Sequence, residues 1–223
     1  MDFIMKKLNN IQLRIIGSLI EKEYTTPDYY PLTLNSLLNA CNQKSNREPV
    51  LNLKESDLDN ELEKLESLKL VQIDDASRAK KFRQRFCSSP FGYLNTTPAE
   101  SSILCVLFLR GPQTPGEIKN RSQRLYEFKN LTEVEETLSN MSQIENNMIV
   151  MLPKLPGKRE QRYMHNFSEE PFLNESSDNI IAIDNDFPDN PEIEIKSLKN
   201  KLEVIKSQIY DIESRLDYLE RKL

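Results

Sequence analysis

The chain has 223 residues, 38% of them hydrophobic, and a formal net charge of -5 at pH 7. That length and apolar content suit one or two small domains, each burying its own core. The longest apolar run, Ile103 to Leu109, is far too short to cross a bilayer, and the N-terminus lacks the apolar stretch of a secretory signal, so a cytoplasmic protein with no membrane partner is expected.

Cys41, Cys87 and Cys105 lie too far apart for a CxxC motif, and the sole histidine, His165, has no second imidazole to share a metal, so neither metal nor cofactor is expected. Residues 1–95 hold 14 basic and 13 acidic side chains, residues 96–170 hold 9 and 10, and residues 171–223 hold 7 and 12. The acidic excess therefore belongs to the C-terminal stretch. The neutral remainder neither demands nor excludes a polyanion.

Leu8 to Lys22 predicts a helix with Ile11, Ile15, Leu19, Ile16 and Ile20 on a wide apolar face. A second helix follows Thr33, with Leu34, Leu37, Leu38 and Cys41 inward, and a third begins near Asn52 or Ser56 and carries Leu58, Leu62, Leu65 and Leu68. Leu70 to Ile73 and Lys81 to Phe86 then read as strands flanking a polar turn.

The same series returns further along. Thr97-Pro98-Ala99-Glu100, Thr114-Pro115-Gly116-Glu117 and Thr132-Glu133-Val134-Glu135 each read as a capping box, and Gly111-Pro112 supplies a stop. Met148 to Leu152 and Gln161 to His165 flank a Pro-Gly-Lys turn. Val134, Leu138, Met141 and Ile144 repeat the spacing of Leu58, Leu62, Leu65 and Leu68 at an offset of 76, as Ile149 repeats Ile73. Gln161-Arg162-Tyr163 matches Gln84-Arg85-Phe86 at 77, and Thr114-Pro115 matches Thr26-Pro27 at 88, which places about a dozen extra residues in the first copy around Tyr29 to Val50.

Helix, helix, helix, hairpin, twice over, predicts a mainly α fold with small β-hairpins: tandem winged helix-turn-helix domains at residues 1–95 and 96–168. Residues 169–192 are acidic and rich in Asn, Ser and Pro, which reads as a disordered linker interrupted by an apolar patch at Ile180 to Ile183. Over residues 193–223, Ile195, Leu198, Leu202, Ile205, Ile209, Ile212, Leu216, Leu219 and Leu223 alternate steps of three and four, the seam of a coiled-coil helix that predicts self-association. Mixed isoleucine and leucine leave the oligomer number open. In a parallel dimer Arg215 would face Glu220 but Lys201 would face Lys206, so charge leaves the orientation open too.

The stretches Thr25-Thr26-Pro27, Ala40 to Val50, Gln84 to Cys87, Leu109 to Glu117 and Pro156 to His165 closely resemble the YceH family of uncharacterised bacterial proteins. The resemblance covers about residues 8 to 168 and implies tandem winged helices, with no established activity to carry over. The extension from about residue 171 departs from the family core.

In DNA-binding winged helices the third helix enters the major groove, where carboxylates are repelled by phosphates. Glu55, Asp57, Asp59, Glu61, Glu63 and Glu66 crowd the first such helix, and Glu133, Glu135 and Glu136 open the second. The hairpins point the other way. Arg78, Lys80, Lys81, Arg83 and Arg85 place five cations in eight residues, Lys44 and Arg47 lie in the turn before the third helix, and Lys154, Lys158, Arg159 and Arg162 echo them in the second copy. These are candidate contacts to phosphate or to a protein, or else solvated faces balancing the acidic helices. Within Asn42 to Pro49, Arg47 and Glu48 suit a local salt bridge that shapes the turn.

No glycine-rich phosphate loop and no nucleophile with a histidine arrangement is present. The expected function is a non-enzymatic regulatory or scaffolding protein that binds a protein or nucleic-acid partner and self-associates through its tail. The alternative is a DNA-binding transcriptional regulator that holds phosphates with its wings.

Overall fold

The computed structural model describes residues 6–75, 79–87, 92–143, 147–154, 157 and 160–169. The linker and coiled-coil seam expected over residues 169–223 lie, from residue 170 on, outside the described residues.

The chain opens with α1, Asn10–Thr25, where Asn9 Oδ1 accepts from Gln12 N at 2.9 Å and Gln12 Oε1 accepts in return from Asn9 N at 3.2 Å. A 3-10 turn over Pro27–Tyr29 leads to β1, Leu32–Thr33, and Thr33 caps α2, Leu34–Cys41. Then come α3, Glu55–Ser67, and the strands β2, Val71–Asp74, and β3, Lys81–Gln84. The second series is α4, Pro98–Arg110, α5, Pro115–Ser122, α6, Leu131–Met141, β4, Ile149–Met151, and β5, Tyr163–His165. The described residues thus form a mixed α/β structure of six helices and two small antiparallel sheets.

In the first sheet β3 lies between β1 and β2. The second copies this arrangement: β5 pairs with β4 on one side, and on the other Gln113 and Tyr163 exchange backbone hydrogen bonds at 3.0 and 2.8 Å. Gln113 thus stands where β1 stands in the first series.

The two series do not bury separate cores, as composition had suggested; one continuous apolar cluster runs through both. Its centre is α1 against α4. Gln12 to Ile20 and Ser101 to Leu109 are buried along almost the whole circumference of each helix, because each packs against its own repeat on one side and against the other helix on the opposite side. Gly17 makes the approach close: a methyl there would sit 2.9 Å from Leu109 Cδ2 and 3.0 Å from Phe108 Cβ. Phe86 of the first series meets Phe108 and Phe167 of the second edge-to-face, with centroids 5.5 and 5.1 Å apart, each pair contributing about 0.5–1.5 kcal/mol beyond its area. The chain ends of this body also meet, since Leu8 N donates to Phe167 O at 2.7 Å and Glu169 N to Leu8 O at 3.0 Å.

The 76-residue echo falls on like elements: Leu58, Leu62 and Leu65 of α3 and Val134, Leu138 and Met141 of α6 are all buried. Beyond them the register departs from the one read in sequence. Arg85 N donates to Leu70 O, as Asn166 N does to Met148 O, and Val71 faces Gln84 where Ile149 faces His165. Backbone pairing therefore equates Gln84-Arg85-Phe86 with His165-Asn166-Phe167, 81 positions on, and not with Gln161-Arg162-Tyr163. The same offset joins Thr33 to Thr114, both N-caps, whereas Thr26-Pro27 only opens the 3-10 turn. The extra residues of the first copy are accordingly divided, part ahead of Thr33 and part between α2 and α3.

One helix start differs from expectation: Asn130, not Thr132, caps α6, accepting from Glu133 N at 2.9 Å. α3 starts at Glu55, next to the expected Ser56, where Asp57 Oδ2 accepts from Lys54 N at 3.1 Å.

Candidate functional site

Strand alternation sorts the first hairpin. Phe82 and Gln84 point inward and are buried, so Lys81, Arg83 and Arg85 share the opposite face. Arg83 and Lys80 are exposed, whereas Lys81 and Arg85 are half-buried. Across β2 the partners are Gln72 for Arg83 and Asp74 for Lys81, which leaves Arg83 opposite a neutral side chain and sets a carboxylate opposite Lys81. Arg78 lies outside the described residues.

Under this face Gln84 locks the strand's exit. Its Oε1 accepts from Phe86 N at 2.7 Å and Cys87 N at 2.8 Å, while Nε2 donates to Glu23 Oε2 at 2.7 Å and Cys87 O at 3.0 Å. Its own backbone N–H donates to the Tyr30 hydroxyl at 2.7 Å. Burial raises the Glu23 carboxyl, opposed by the Gln84 hydrogen bond and the charge of Arg83. The motif Gln84 to Cys87 is thus a device that holds the hairpin on α1.

The second hairpin differs in character. Val150 and Met151 on the edge strand β4 are exposed, Lys154 is exposed, and Lys158 and Arg159 lie outside the described residues. Arg162 is half-buried, donating to Pro112 O at 3.3 Å and pairing with Glu117 at 3.5 Å.

Of the two cations before α3, Lys44 is exposed and Arg47 is not. The Arg47 side chain is 0% exposed. It donates from Nη2 to Glu21 Oε2 at 2.7 Å, from Nη1 to Glu21 Oε1 at 3.1 Å and to Asn46 O at 2.9 Å, and from Nε to Ala40 O at 3.0 Å. With four of its five N–H donors bonded and its side chain fully enclosed, this guanidinium is out of reach of a phosphate, so Arg47 is removed from the candidate contacts. Its ion pair shapes the loop as expected, but the partner is Glu21 on α1 rather than the adjacent Glu48. Arg14 works beside it, donating to Cys41 O at 3.1 Å and Pro49 O at 2.7 Å, and Asn42 clasps both the N–H and the carbonyl of Leu53. Burial and the charge of Arg47 bring Arg14 down to about 10, so it is still a cation at neutral pH.

The solvent face of α3 carries Glu55, Asp57, Asp59, Glu63 and Glu66. Glu61 does not belong to it. That residue is buried, and its Oε2 accepts from Gln12 Nε2 at 2.8 Å and Asn9 Nδ2 at 3.1 Å, docking α3 on the start of α1.

The three thiols and the sole imidazole are inside the core. Burial pushes the Cys41 thiol up to about 11 and the Cys87 thiol up to about 12, and raises Cys105 well above the usual thiol value. Burial, helped by Lys7, lowers the His165 imidazole to about 3, and its Nδ1 accepts from Phe167 N at 3.3 Å. Among the described residues no group of three His, Cys, Asp or Glu is placed to hold a metal ion, and no helix is long and apolar enough to cross a membrane. A feature that sequence reading missed is a cavity of about 260 Å³ whose rim carries Arg110, Arg121 and Arg124. Nothing in their spacing announces it, because three separate segments converge there.

The sequence matches, over residues 8–158, a family model described as a protein of unknown function, DUF480. The chain belongs to that family. Curated relatives carry UPF0502 names: a protein from Vibrio vulnificus strain CMCP6 is 42% identical over 216 residues, 96% of this chain and 98% of its own length. One from Aliivibrio salmonicida is 51% identical over 169 residues, 74% of this chain and 76% of that protein. The uncharacterised bacterial family indicated by the motifs is thereby shown. The family model ends before the C-terminal extension, but the Vibrio vulnificus alignment runs well into it, so at least one family member shares the tail that sequence reading had set apart.

Proposed function

We propose that this protein is a non-enzymatic tandem winged-helix scaffold or regulator that binds a macromolecular partner through its hairpins and the adjoining loop, and that its C-terminal heptads hold copies together. The observation that carries this reading is the division of charge in the first repeat. The face of α3 that would enter a groove exposes five carboxylates, while the neighbouring hairpin exposes Lys80 and Arg83. A helix so charged repels phosphates, which leaves the hairpins as the contact surface. Burial of the thiols and the imidazole supports a reading without thiol or imidazole catalysis. The shared core supports a scaffold, because it holds both hairpins on one body, and avidity from a paired tail multiplies weak contacts.

Phosphate contact by the wings is the second reading, favoured by Arg83 standing outward opposite a neutral Gln72. The two are separated by mobility shift of the full chain on duplex DNA over a salt series. Backbone contacts give a slope of about -0.9 per phosphate in log K against log salt, removed when Arg78, Lys80, Lys81 and Arg83 become alanine. A salt-insensitive complex with a protein, untouched by that substitution, assigns the scaffold. Robust hydrolysis by the purified protein, lost in Glu48→Gln, would overturn both readings.

A further inference from the structure

We infer that the cavity rimmed by Arg110, Arg121 and Arg124 is a binding site for a small organic anion, a carboxylate or phosphate monoester carried on an apolar body. The site is independent of the hairpins. It is built by both repeats: Glu21 and Thr25 come from α1, Asn46 from the loop after α2, and the remainder from α4, α5 and the segment that follows α5.

Positive charge at the rim is only partly offset by carboxylates, Glu48 and Glu21 acting on Arg110 and Glu117 on Arg121. Glu21 faces the cavity but is already paired with Arg47 at 2.7 Å and Lys22 at 3.2 Å. Glu117 is shared between Arg121 at 3.8 Å and Arg162 at 3.5 Å. Arg110 donates to the neutral Asn46 side chain, and Arg124 has no hydrogen bond or ion pair among the described residues. Burial and the nearby Arg121 and Arg47 charges outweigh Glu48 and Glu21 and hold the Arg110 guanidinium below its ordinary value, in keeping with cations gathered at one partly buried place. An anion placed among them relieves that repulsion, and planar guanidinium forks suit the paired oxygens of carboxylate and phosphate.

The floor is apolar, lined by Val106, Leu109 and Leu125. A bare inorganic ion would leave that surface in contact with water, whereas a ligand with a hydrocarbon or aromatic body covers it. The volume, about 260 Å³, admits a small molecule and is far too confined for a duplex. Because the lining comes from both repeats, occupancy ties them together and raises the melting temperature of the whole body.

Titration calorimetry and thermal melts of the full chain would use phenyl phosphate, benzoate, inorganic phosphate and benzyl alcohol. Saturable one-site binding of phenyl phosphate or benzoate is expected, with inorganic phosphate at least tenfold weaker and benzyl alcohol inert. Binding of one anionic probe alone assigns the head group, phosphate or carboxylate. Arg124→Gln, on an exposed side chain that no fold contact needs, is expected to weaken binding at least tenfold, as is Arg110→Gln, while Lys80→Ala with Arg83→Ala changes nothing. The proposal is overturned if neither anionic probe binds at millimolar concentration, or if Arg124→Gln binds as tightly as the parent.

Discussion

Arg47 and Glu21 are joined fork to fork, Nη2 to Oε2 at 2.7 Å and Nη1 to Oε1 at 3.1 Å, across 26 positions of sequence. This pair fixes the loop between α2 and α3 onto α1. Removing the guanidinium leaves a half-buried carboxylate with only Lys22 beside it and takes away the Ala40 carbonyl's Arg47 donor, so Arg47→Ala is expected to cost about 3 kcal/mol in urea unfolding. Arg47→Lys keeps the charge but not the fork, and recovers part of that loss. Burial pulls the Glu21 carboxyl upward, but hydrogen bonds and charge from Arg47, with help from Lys22, outweigh it and leave its value depressed. A depressed carboxylate stabilises the fold above its unfolded value of 4.5 and loses that contribution as pH falls below it. Glu21→Gln should flatten this acid limb, and an unchanged limb would refute the assignment.

A second pH window belongs to His165. Its imidazole is held down at about 3 in the fold, against an ordinary value of 6.5, because protonation would bury a charge among Phe108 and Phe167. The unfolded chain therefore takes up a proton first as pH falls below 6.5, and stability declines from there down to about 3. Between pH 7 and pH 5 the loss should be about 2 kcal/mol, from about 1.4 kcal/mol per pH unit. His165→Gln, which keeps an acceptor for Phe167 N, should lose that slope. A parallel pH profile for the variant would show that another group is responsible.

The helices were legible because burial imposes the helical period on Leu58, Leu62 and Leu65 and on Val134, Leu138 and Met141 whatever the loops do. Capping boxes at Thr97 and Thr114 were legible for the same local reason, both sides of each box lying within four residues. At α6 local chemistry misled: Thr132 has the right spacing to Glu135, but Asn130 lies two residues upstream and Glu133 already accepts from Lys129 N and the Tyr126 hydroxyl. The hairpin register was misread because Gln-Arg-aromatic is a likeness of side chains, while strand equivalence is set by which backbone groups pair. Partners of Arg47 and Glu61 lie on α1, so no neighbouring residue discloses them. The arginine-rimmed cavity was illegible altogether, since its walls exist only once α1, α4 and α5 meet.

Charge on the first hairpin should be separable from stability. Lys80 and Arg83 are exposed, and Arg83 faces a neutral cross-strand neighbour, so replacing both with glutamine, which removes only the attraction of Arg83 for the Glu23 carboxylate, is expected to shift unfolding by less than about 1 kcal/mol. Loss of more than about 2 kcal/mol would show these cations to be structural and remove them from the contact surface.

The heptad seam from Ile195 to Leu223 predicts that deleting residues 171–223 lowers the number of copies per particle, taken from the light-scattering mass divided by the chain mass, because nine apolar side chains on one narrow stripe call for a helical partner. The shortened chain should retain the unfolding transition of the described body, whose apolar cluster runs from Leu8 to Phe167 among the described residues. The same number of copies per particle before and after truncation would end the claim that the tail assembles copies.

Gly17 tests whether the two repeats are one body. Its Cα faces Leu109 and Phe108 across the α1–α4 contact, and a methyl there would come within 3.0 Å of Phe108 Cβ, which is anchored to helix backbone and cannot swing aside. On helix propensity alone Gly17→Ala should stabilise α1 by about 1 kcal/mol. Wedging the helices apart opposes this and costs about 1–3 kcal/mol or more, so net destabilisation is expected in chemical unfolding. The form of the transition is the sharper readout. With one core the variant unfolds in a single shifted step seen equally by tyrosines of both halves, Tyr30 and Tyr126, whereas independent cores would give two steps with only the first half and α4 displaced. Two separate transitions would contradict the shared core, and with it the rigid spacing between hairpins on which a scaffold role depends.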